Sequence, residues 1–138
     1  FNYTGAGQSL NFLVPKLVDH FARFAERVSL GNLEVSRDFS DVRTVAWSYR
    51  RLLEDGLPGE TYNIASGESR SLASIVTSLE SLSSRKIIVS AEEGLARKGE
   101  ILELRGDASK LWSAIGEPPT ISFNDTLKWM LAASAMAK

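Results

Sequence analysis

The sequence contains no cysteine and only one histidine, His20. Without cysteine, the chain has no disulfide scaffold, no zinc–thiolate site and no thiol nucleophile, and a lone histidine argues against a transition-metal site. The apolar runs are only a few residues long, too short for a membrane-spanning helix or a signal peptide. Charge is balanced, because 16 Lys and Arg against 17 Asp and Glu give a net charge of −1. This balance offers no electrostatic footprint for nucleic acid or an anionic membrane.

What remains is the composition of an ordinary globular domain. The chain has 138 residues, of which 43% are hydrophobic and 24% are charged, so it can bury one core and is not intrinsically disordered. It contains no internal repeat. Nothing in it requires an oxidising compartment, and we expect a cytoplasmic protein that binds neither nucleic acid nor a membrane.

The first residues suggest a piece of a longer protein. The segment Phe1-Asn2-Tyr3-Thr4-Gly5 has no initiator methionine and passes from aromatic residues directly into a turn. This is typical of the end of a buried strand whose earlier part is missing, and we interpret the chain as a fragment. A new start exposed by processing is the alternative.

Short strands alternate with amphipathic helices, which predicts an α/β fold. Apolar residues at helical spacing begin near residue 14, where Pro15 fits only in the first turn, and continue to Val28 before Gly31 ends the element. The same criteria predict helices over residues 42–53, 72–82 and 107–114 and from residue 122, and strands over residues 33–35, 61–65 and 86–90.

Four polar residues stand where helix caps are needed. Ser40 or Asp41 can cap the helix predicted over residues 42–53, and Asp107 can cap the short helix that ends near residue 114. Ser122, three residues before Asp125, forms an approximate capping box for the last helix. The sequence does not reveal whether the strands pair in parallel.

Two motifs that carry cofactor chemistry are incomplete. Gly5-Ala6-Gly7 begins like a dinucleotide-binding fingerprint, but Leu10 stands where the third glycine belongs, so we predict a turn there. Short-chain hydride-transferring enzymes protonate their substrates with a tyrosine and a lysine four residues later, and none of the three tyrosines has such a lysine. His20 lies on an amphipathic helix, where a surface or boundary position is the expected role.

Two arginines in predicted loops are candidates for anion binding. Arg37 follows a predicted strand and precedes Asp38 and Phe39, while Arg97 lies in the polar connection over residues 91–106. A planar guanidinium group forms bidentate hydrogen bonds with phosphate oxygens. Each arginine alone is typical of an ordinary surface residue; the hypothesis is that the two converge around a pyrophosphate.

Five stretches in a fixed order carry a resemblance to a known family: residues 1–8 (Phe-Asn-Tyr-Thr-Gly-Ala-Gly-Gln), 12–15, 30–42, 59–67 and 106–110. Together they resemble the C-terminal half of extended short-chain dehydrogenase/reductase enzymes that act on nucleotide sugars. The pattern Gly-Asn-Leu-Glu at residues 31–34, followed by Arg-Asp-Phe at residues 37–39, is most similar to the GDP-mannose branch. That branch comprises GDP-4-keto-6-deoxy-mannose reductases and GDP-mannose 4,6-dehydratases.

The resemblance implies that residues 1–138 form a small substrate-binding α/β lobe. In such enzymes an N-terminal Rossmann half holds NAD(P) and the catalytic Ser/Thr, Tyr and Lys, and that half is absent from this sequence. The lobe alone would then be inactive, with no catalytic residue, no bound cofactor and no metal. The parent reaction would be reduction, dehydration or epimerisation, which differ mainly in the absent half.

The resemblance also assigns roles to individual residues that grip a GDP-sugar or a related nucleotide sugar. Seven positions match: Asn2, Arg37 and Arg97 at the diphosphate, Lys16 beside the nucleotide, Gly31 and Asn32 in the base pocket, and Glu100 as acceptor from the ribose hydroxyls. The alternative is a noncatalytic interaction domain or degenerate remnant, which would form homo-oligomers through an exposed apolar surface.

Overall fold

The computed structural model describes residues 1–92, 99 and 101–136. The helices within these residues are α1 (Leu13–Ala22), α2 (Val42–Asp55), α3 (Leu72–Ser83), α4 (Ser109–Ile115) and α5 (Phe123–Met136). The strands are β1 (Asn2–Thr4), β2 (Arg27–Leu30), β3 (Ser36–Asp41), β4 (Ser69–Ser71), β5 (Ile88–Ala91) and β6 (Glu103–Leu104). In this described part of the chain, no helix combines the length and the apolar character needed to cross a bilayer.

Strand β3 is the centre of the larger sheet. Its C-terminal half pairs in parallel with β1, and its N-terminal half pairs with β4 in antiparallel orientation and with β6 in parallel. Strands β2 and β5 form a separate parallel pair. Helices that alternate with short, mostly parallel strands confirm the predicted α/β class.

The main core lies between α1, α3 and α5. These helices pack the apolar faces that the sequence periodicity predicts, and β2 adds Val28 and Leu30. A second cluster forms where α4 packs beside α2, around the buried Leu111 and Ile115. The fully buried members of the main core are Val14, Leu17, Val18, Val28, Ile75, Leu79 and Leu127.

The first helix is shorter than its apolar periodicity predicts. It ends at Ala22, because Phe24 adopts a left-handed conformation with φ 64° and turns the chain into β2. Val28 follows Phe21 by seven residues, so it fits a helical face, yet it is buried as an alternate residue of a strand. The pairing of β2 with β5, about 60 residues away, decides that this segment is a strand and not a continuation of the helix.

Two of the three predicted strands are misplaced, and one is shifted. Residues 33–35 form the turn that leads into β3, and residues 61–65 form no strand in the structure, although Ala65 is buried. The strand predicted over residues 86–90 corresponds to β5. Sequence reasoning missed β4 and β6, which have only three and two residues and depend on β3 for pairing.

Helix α2 begins where Asp41 caps it. The carboxylate accepts the backbone N–H of Arg43 at 2.7 Å, and its other oxygen accepts the Thr126 hydroxyl of α5 at 2.7 Å. The Arg43 guanidinium also donates to both carboxylate oxygens and lies 4.2 Å from the centroid of the Trp129 ring. Asp41 therefore joins β3, α2 and α5. At the start of α5, the Ser122 hydroxyl accepts the backbone N–H of Asp125, so Ser122 caps this helix as predicted.

The acid stability of the protein is expected to depend on Asp41. Burial raises the pKa of this carboxyl, but the hydrogen bonds from Arg43 and Thr126 together outweigh burial and hold the pKa below its ordinary value of 3.8. Because the folded pKa is lowered, the stabilisation is present above pH 3.8 and is lost as the pH falls through the folded pKa. At pH 7, Asp41→Asn is expected to lower the free energy of unfolding by about 1–2 kcal/mol.

Denaturant unfolding at a series of pH values tests this expectation. The difference in free energy of unfolding between the wild-type protein and Asp41→Asn should shrink as the pH falls below 3.8. Asparagine remains a good N-cap, so the comparison isolates the charge rather than the cap. A difference that stays constant from neutral to acid pH would contradict the role of the ionised carboxylate.

Candidate functional site

A cleft of about 560 Å³ opens beside β1 and β3. Four of the seven residues proposed from the sequence line it, namely Asn2, Gly31, Asn32 and Arg37. Its walls carry aromatic side chains from three different segments, including Phe1, Tyr3, Phe12 and Phe39. The cleft combines apolar side chains with a nearly equal share of polar groups, so it suits a ligand that has both apolar and polar parts.

Arg37 lies on β3 and is half-buried. Its Nη1 donates to the carbonyl oxygen of Ile101 at 2.7 Å and to that of Ser36 at 2.9 Å. The backbone N–H of Ser36 donates to Leu102 at 2.7 Å, so the segment before β6 runs beside the arginine. These contacts fix the direction of the guanidinium group at the edge of the cleft.

Asn2 lies on β1, directly opposite Phe39 in the β1–β3 ladder. Its Nδ2 donates to the carbonyl oxygen of Asp38 at 3.1 Å. An amide nitrogen carries two hydrogens, so the exposed side chain keeps a second N–H for a ligand. Parallel pairing of two strands thus brings Asn2 and Arg37 to one cleft, although 35 positions separate them in sequence.

Gly31 and Asn32 form the turn after β2. The Asn32 Oδ1 accepts the backbone N–H of Glu34 at 3.0 Å, a local bond that shapes the turn. Lys16 is not among the residues that line the cleft. Its ammonium group donates to the carbonyl oxygen of Ser29 at 3.5 Å. The preceding residue, Pro15, does line the cleft.

The other two proposed residues, Arg97 and Glu100, lie outside the described residues. The hypothesis that Arg37 and Arg97 converge on one pyrophosphate therefore stays a prediction. Only the Arg37 half of that pair has a described position.

Sequence reasoning missed Asp38, the most buried polar residue beside the cleft. Its side chain is 0% exposed and points away from Arg37, because successive residues of a strand face opposite sides. The signal was available: Asp38 lies inside the Arg-Asp-Phe pattern at residues 37–39, but only the arginine was considered as a candidate. An acidic residue within a strand is unusual and marks a position with specific partners.

A second cleft of about 420 Å³ lies on the side of β4, α4 and α5. Arg70 is its main cation. The central carbon of the Arg70 guanidinium group lies 5.1 Å from the centroid of the Phe123 ring, and the group forms an ion pair with Glu68. Phe39 lines both clefts, so its ring stands between them. Within the described residues, no three histidine, aspartate or glutamate side chains are grouped as ligands for a metal ion.

The loop after β1 forms a turn that packs against α2 and α5. Gly5 is needed for packing, because a Cβ there would lie 3.0 Å from the Trp129 ring and closer still to Val42. The Gln8 side chain folds back to donate to the Tyr3 carbonyl at 3.2 Å. Residues 6 and 7 form the predicted turn, and α1 begins at Leu13.

The fold and this cleft define an α/β lobe of the extended short-chain dehydrogenase/reductase type, and the comparison with known proteins specifies its family. The model of the GDP-mannose 4,6 dehydratase family matches residues 1–130, so the chain belongs to that family. This confirms the resemblance drawn from the sequence motifs.

Individual relatives agree with this assignment. Over 137 residues the chain is 29% identical to the GDP-6-deoxy-D-mannose reductase of Pseudomonas aeruginosa, a match that covers 96% of this chain and 45% of the reductase. A crystal structure from Burkholderia cenocepacia J2315, of a protein provisionally classed as an epimerase, is 45% identical with a TM-score of 0.96. The match covers 99% of this chain and 45% of that protein.

A third match is the structure of RMD from Pseudomonas aeruginosa complexed with NADPH. It is 29% identical with a TM-score of 0.92, and 100% of this chain covers 47% of it. The chain thus spans somewhat less than half the length of the relatives that it matches.

Proposed function

We propose that this chain is the nucleotide-sugar-binding part of an NAD(P)-dependent enzyme, and that its ligand is GDP linked to a hexose. The observation that carries the proposal is the cleft in which Asn2, Arg37 and the turn at residues 31–32 lie together. Its volume of about 560 Å³ falls within the usual range of small-molecule sites. Family membership and the similarity to a GDP-6-deoxy-D-mannose reductase favour a guanine nucleotide.

The residue types suit the parts of such a ligand. Arg37 binds the diphosphate, since a guanidinium fork neutralises phosphate and hydrogen-bonds two of its oxygens. Asn2 donates its second amide N–H to the same group. Gly31 has no side chain and leaves room for the plane of the base, while the amide of Asn32 offers hydrogen bonds to the base edge.

Three further residues complete the proposed site. Lys16 contributes positive charge beside the nucleotide, Arg97 is a second cation at the diphosphate, and Glu100 accepts hydrogen bonds from the ribose hydroxyls. The chemistry supports these roles, because a carboxylate can accept from two vicinal hydroxyl groups. For Arg97 and Glu100 the support is the family resemblance, since both lie outside the described residues.

In the intact enzyme the reaction would be a reduction or a dehydration that involves hydride transfer between a nicotinamide and C4 of the hexose. The chain by itself is proposed to be catalytically inactive. The support is its sequence, which has no tyrosine followed four residues later by a lysine and no complete dinucleotide fingerprint. NAD(P) would then bind to the other half of the enzyme.

Calorimetric titration with GDP-mannose tests the ligand and the site together. The wild-type chain is expected to bind weakly, because it spans less than half the length of the relatives that it matches. Arg37→Ala is expected to weaken binding by at least about tenfold, since a hydrogen bond to a charged group contributes roughly 1.5–3 kcal/mol. Equal heats from both proteins would remove the assignment of Arg37.

Arg70→Ala is the matched control for this titration. Arg70 is directly opposite Arg37 in the β3–β4 ladder, but its guanidinium group lies in the second cleft, over Phe123. The two substitutions remove the same charge from neighbouring positions, so a general electrostatic effect would appear in both. Affinity for GDP-mannose in Arg70→Ala is expected to stay within about twofold of the wild-type value.

A second candidate function is self-association. An apolar groove of about 460 Å³ lies between β1, α2 and residues 60–64, and Phe1, Tyr3 and Tyr49 are each more than 40% exposed there. Leu53, also on α2, is 89% exposed. Exposed patches of this kind favour oligomers. Light scattering of the titration samples separates the two functions. A particle size that rises with protein concentration and does not change when nucleotide is added would favour self-association.

A further inference from the structure

The carboxylate of Asp38 joins β3 to two other segments of the chain. One oxygen accepts the backbone N–H of Ser66 at 2.8 Å and its hydroxyl at 2.7 Å. The other oxygen accepts the N–H of Gly67 at 2.9 Å and that of Gly106 at 3.2 Å. Four donors satisfy a group that is entirely removed from solvent, which is the condition for burying a carboxylate.

These two segments support Arg37. The Ser66–Gly67 turn leads into β4, and Gly106 follows β6, and both strands pair with β3 at Arg37. The segment that ends at Gly106 begins at Ile101, whose carbonyl oxygen accepts from the guanidinium group. Each strand beside Arg37 is thus connected at one end to the carboxylate of the next residue.

The backbone of Asp38 is also connected to the cleft. Its carbonyl oxygen accepts the amide of Asn2, the other residue assigned to the diphosphate. Asp38 is therefore bonded to one proposed ligand-binding side chain directly and to the supports of the other, although its own side chain faces the opposite side of the sheet.

We infer that Asp38 is a positioning residue of the nucleotide cleft: its carboxylate holds β4 and the segment over residues 101–106 in the arrangement that directs the Arg37 guanidinium at the ligand. The inference rests on the proposed function for the identity of the ligand. The positioning itself is independent of any ligand, because all of these hydrogen bonds exist within the protein.

The first test measures the position of Arg37 without ligand. In Asp38→Asn, one carboxylate oxygen becomes an NH2 group that opposes the N–H donors facing it. The Nε–H resonance of Arg37 in a nitrogen–proton correlation spectrum is expected to move toward the value of a freely rotating arginine. Backbone amide signals of the α1–α3–α5 core should keep their positions. An Arg37 resonance that does not move in the folded variant would overturn the inference.

The second test measures binding in a double-mutant cycle, with GDP and guanosine as probes. Asp38→Asn is expected to weaken GDP binding about tenfold and to leave guanosine binding within about twofold, because only the phosphate contacts depend on Arg37. In an Arg37→Ala background, Asp38→Asn should weaken GDP binding less than about twofold further. The same loss in both backgrounds would assign Asp38 a merely structural role and contradict the inference.

Two further variants keep the result interpretable. Asp41→Asn is the matched control, since Asp41 is a buried carboxylate on the same strand that does not line the cleft, and its GDP affinity should stay within about twofold of wild type. If Asp38→Asn does not fold, Ser66→Ala removes one of the four donors and should shift the Arg37 resonance in the same direction. A wild-type chain that does not bind GDP would refute the proposed function, while the resonance of Arg37 would still decide the role of Asp38.

Discussion

Leu127→Ala is expected to lower the free energy of unfolding by about 3–5 kcal/mol. The Leu127 side chain is completely buried on α5, in the cluster that α5 forms with α1 and α3. Truncation removes buried methyl groups and leaves a cavity, because three helices that are packed against one another cannot close around it. Denaturant titration followed by tryptophan fluorescence measures the loss.

Leu53→Ala is the matched control for this core substitution. It makes the same chemical change on α2, but Leu53 is 89% exposed. Its truncation is expected to change the free energy of unfolding by no more than about 0.5 kcal/mol. Similar losses in both variants would mean that α5 does not form the core described here.

Gly106→Ala is expected to destabilise the protein by about 2–3 kcal/mol. A Cβ at this position would lie 2.8 Å from two ring carbons of Phe1 and closer still to the Cβ of Ala65. The backbone must therefore move, and the movement lengthens the hydrogen bond from the Gly106 N–H to the Asp38 carboxylate. Thermal and denaturant unfolding both report the change.

A compensating substitution tests this steric explanation. Ala65→Gly removes the methyl group closest to the new Cβ, so the double variant Gly106→Ala/Ala65→Gly should be more stable than the sum of the two single effects predicts. The Phe1 ring is 44% exposed and can turn aside once that space exists. Additive effects would show that the loss has another origin than contact between residues 65 and 106.

Local signals predicted the helices well. Asp41 was one of two predicted caps for α2, Ser122 caps α5 as predicted, and the apolar spacing placed α3 within one residue of its observed end. Such signals depend on residues three or four positions apart, which are neighbours on any helix. The start of α1 was predicted within one residue too, but its end was not, because Val28 suits both a helical face and a strand.

Strands were predicted poorly because their partners are distant in sequence. Residues 61–65 have the composition of a strand but pair with no strand in the described part of the chain, while the polar residues of β4 form one because β3 lies beside them. Strand propensity describes a fit to neighbouring strands more than an intrinsic preference. A short stretch of sequence does not show which strand will lie beside it.

By itself, the sequence determined the class of fold, the helices with their caps, the family resemblance and the chemical types suited to a diphosphate. Only the tertiary structure decided that Asn2, Gly31, Asn32 and Arg37 share one cleft and that Asp38 connects their supports. The physical reason is that a helix closes its hydrogen bonds within one turn. A cleft between paired strands depends instead on bonds such as those from Gly106 to Asp38, between residues 68 positions apart.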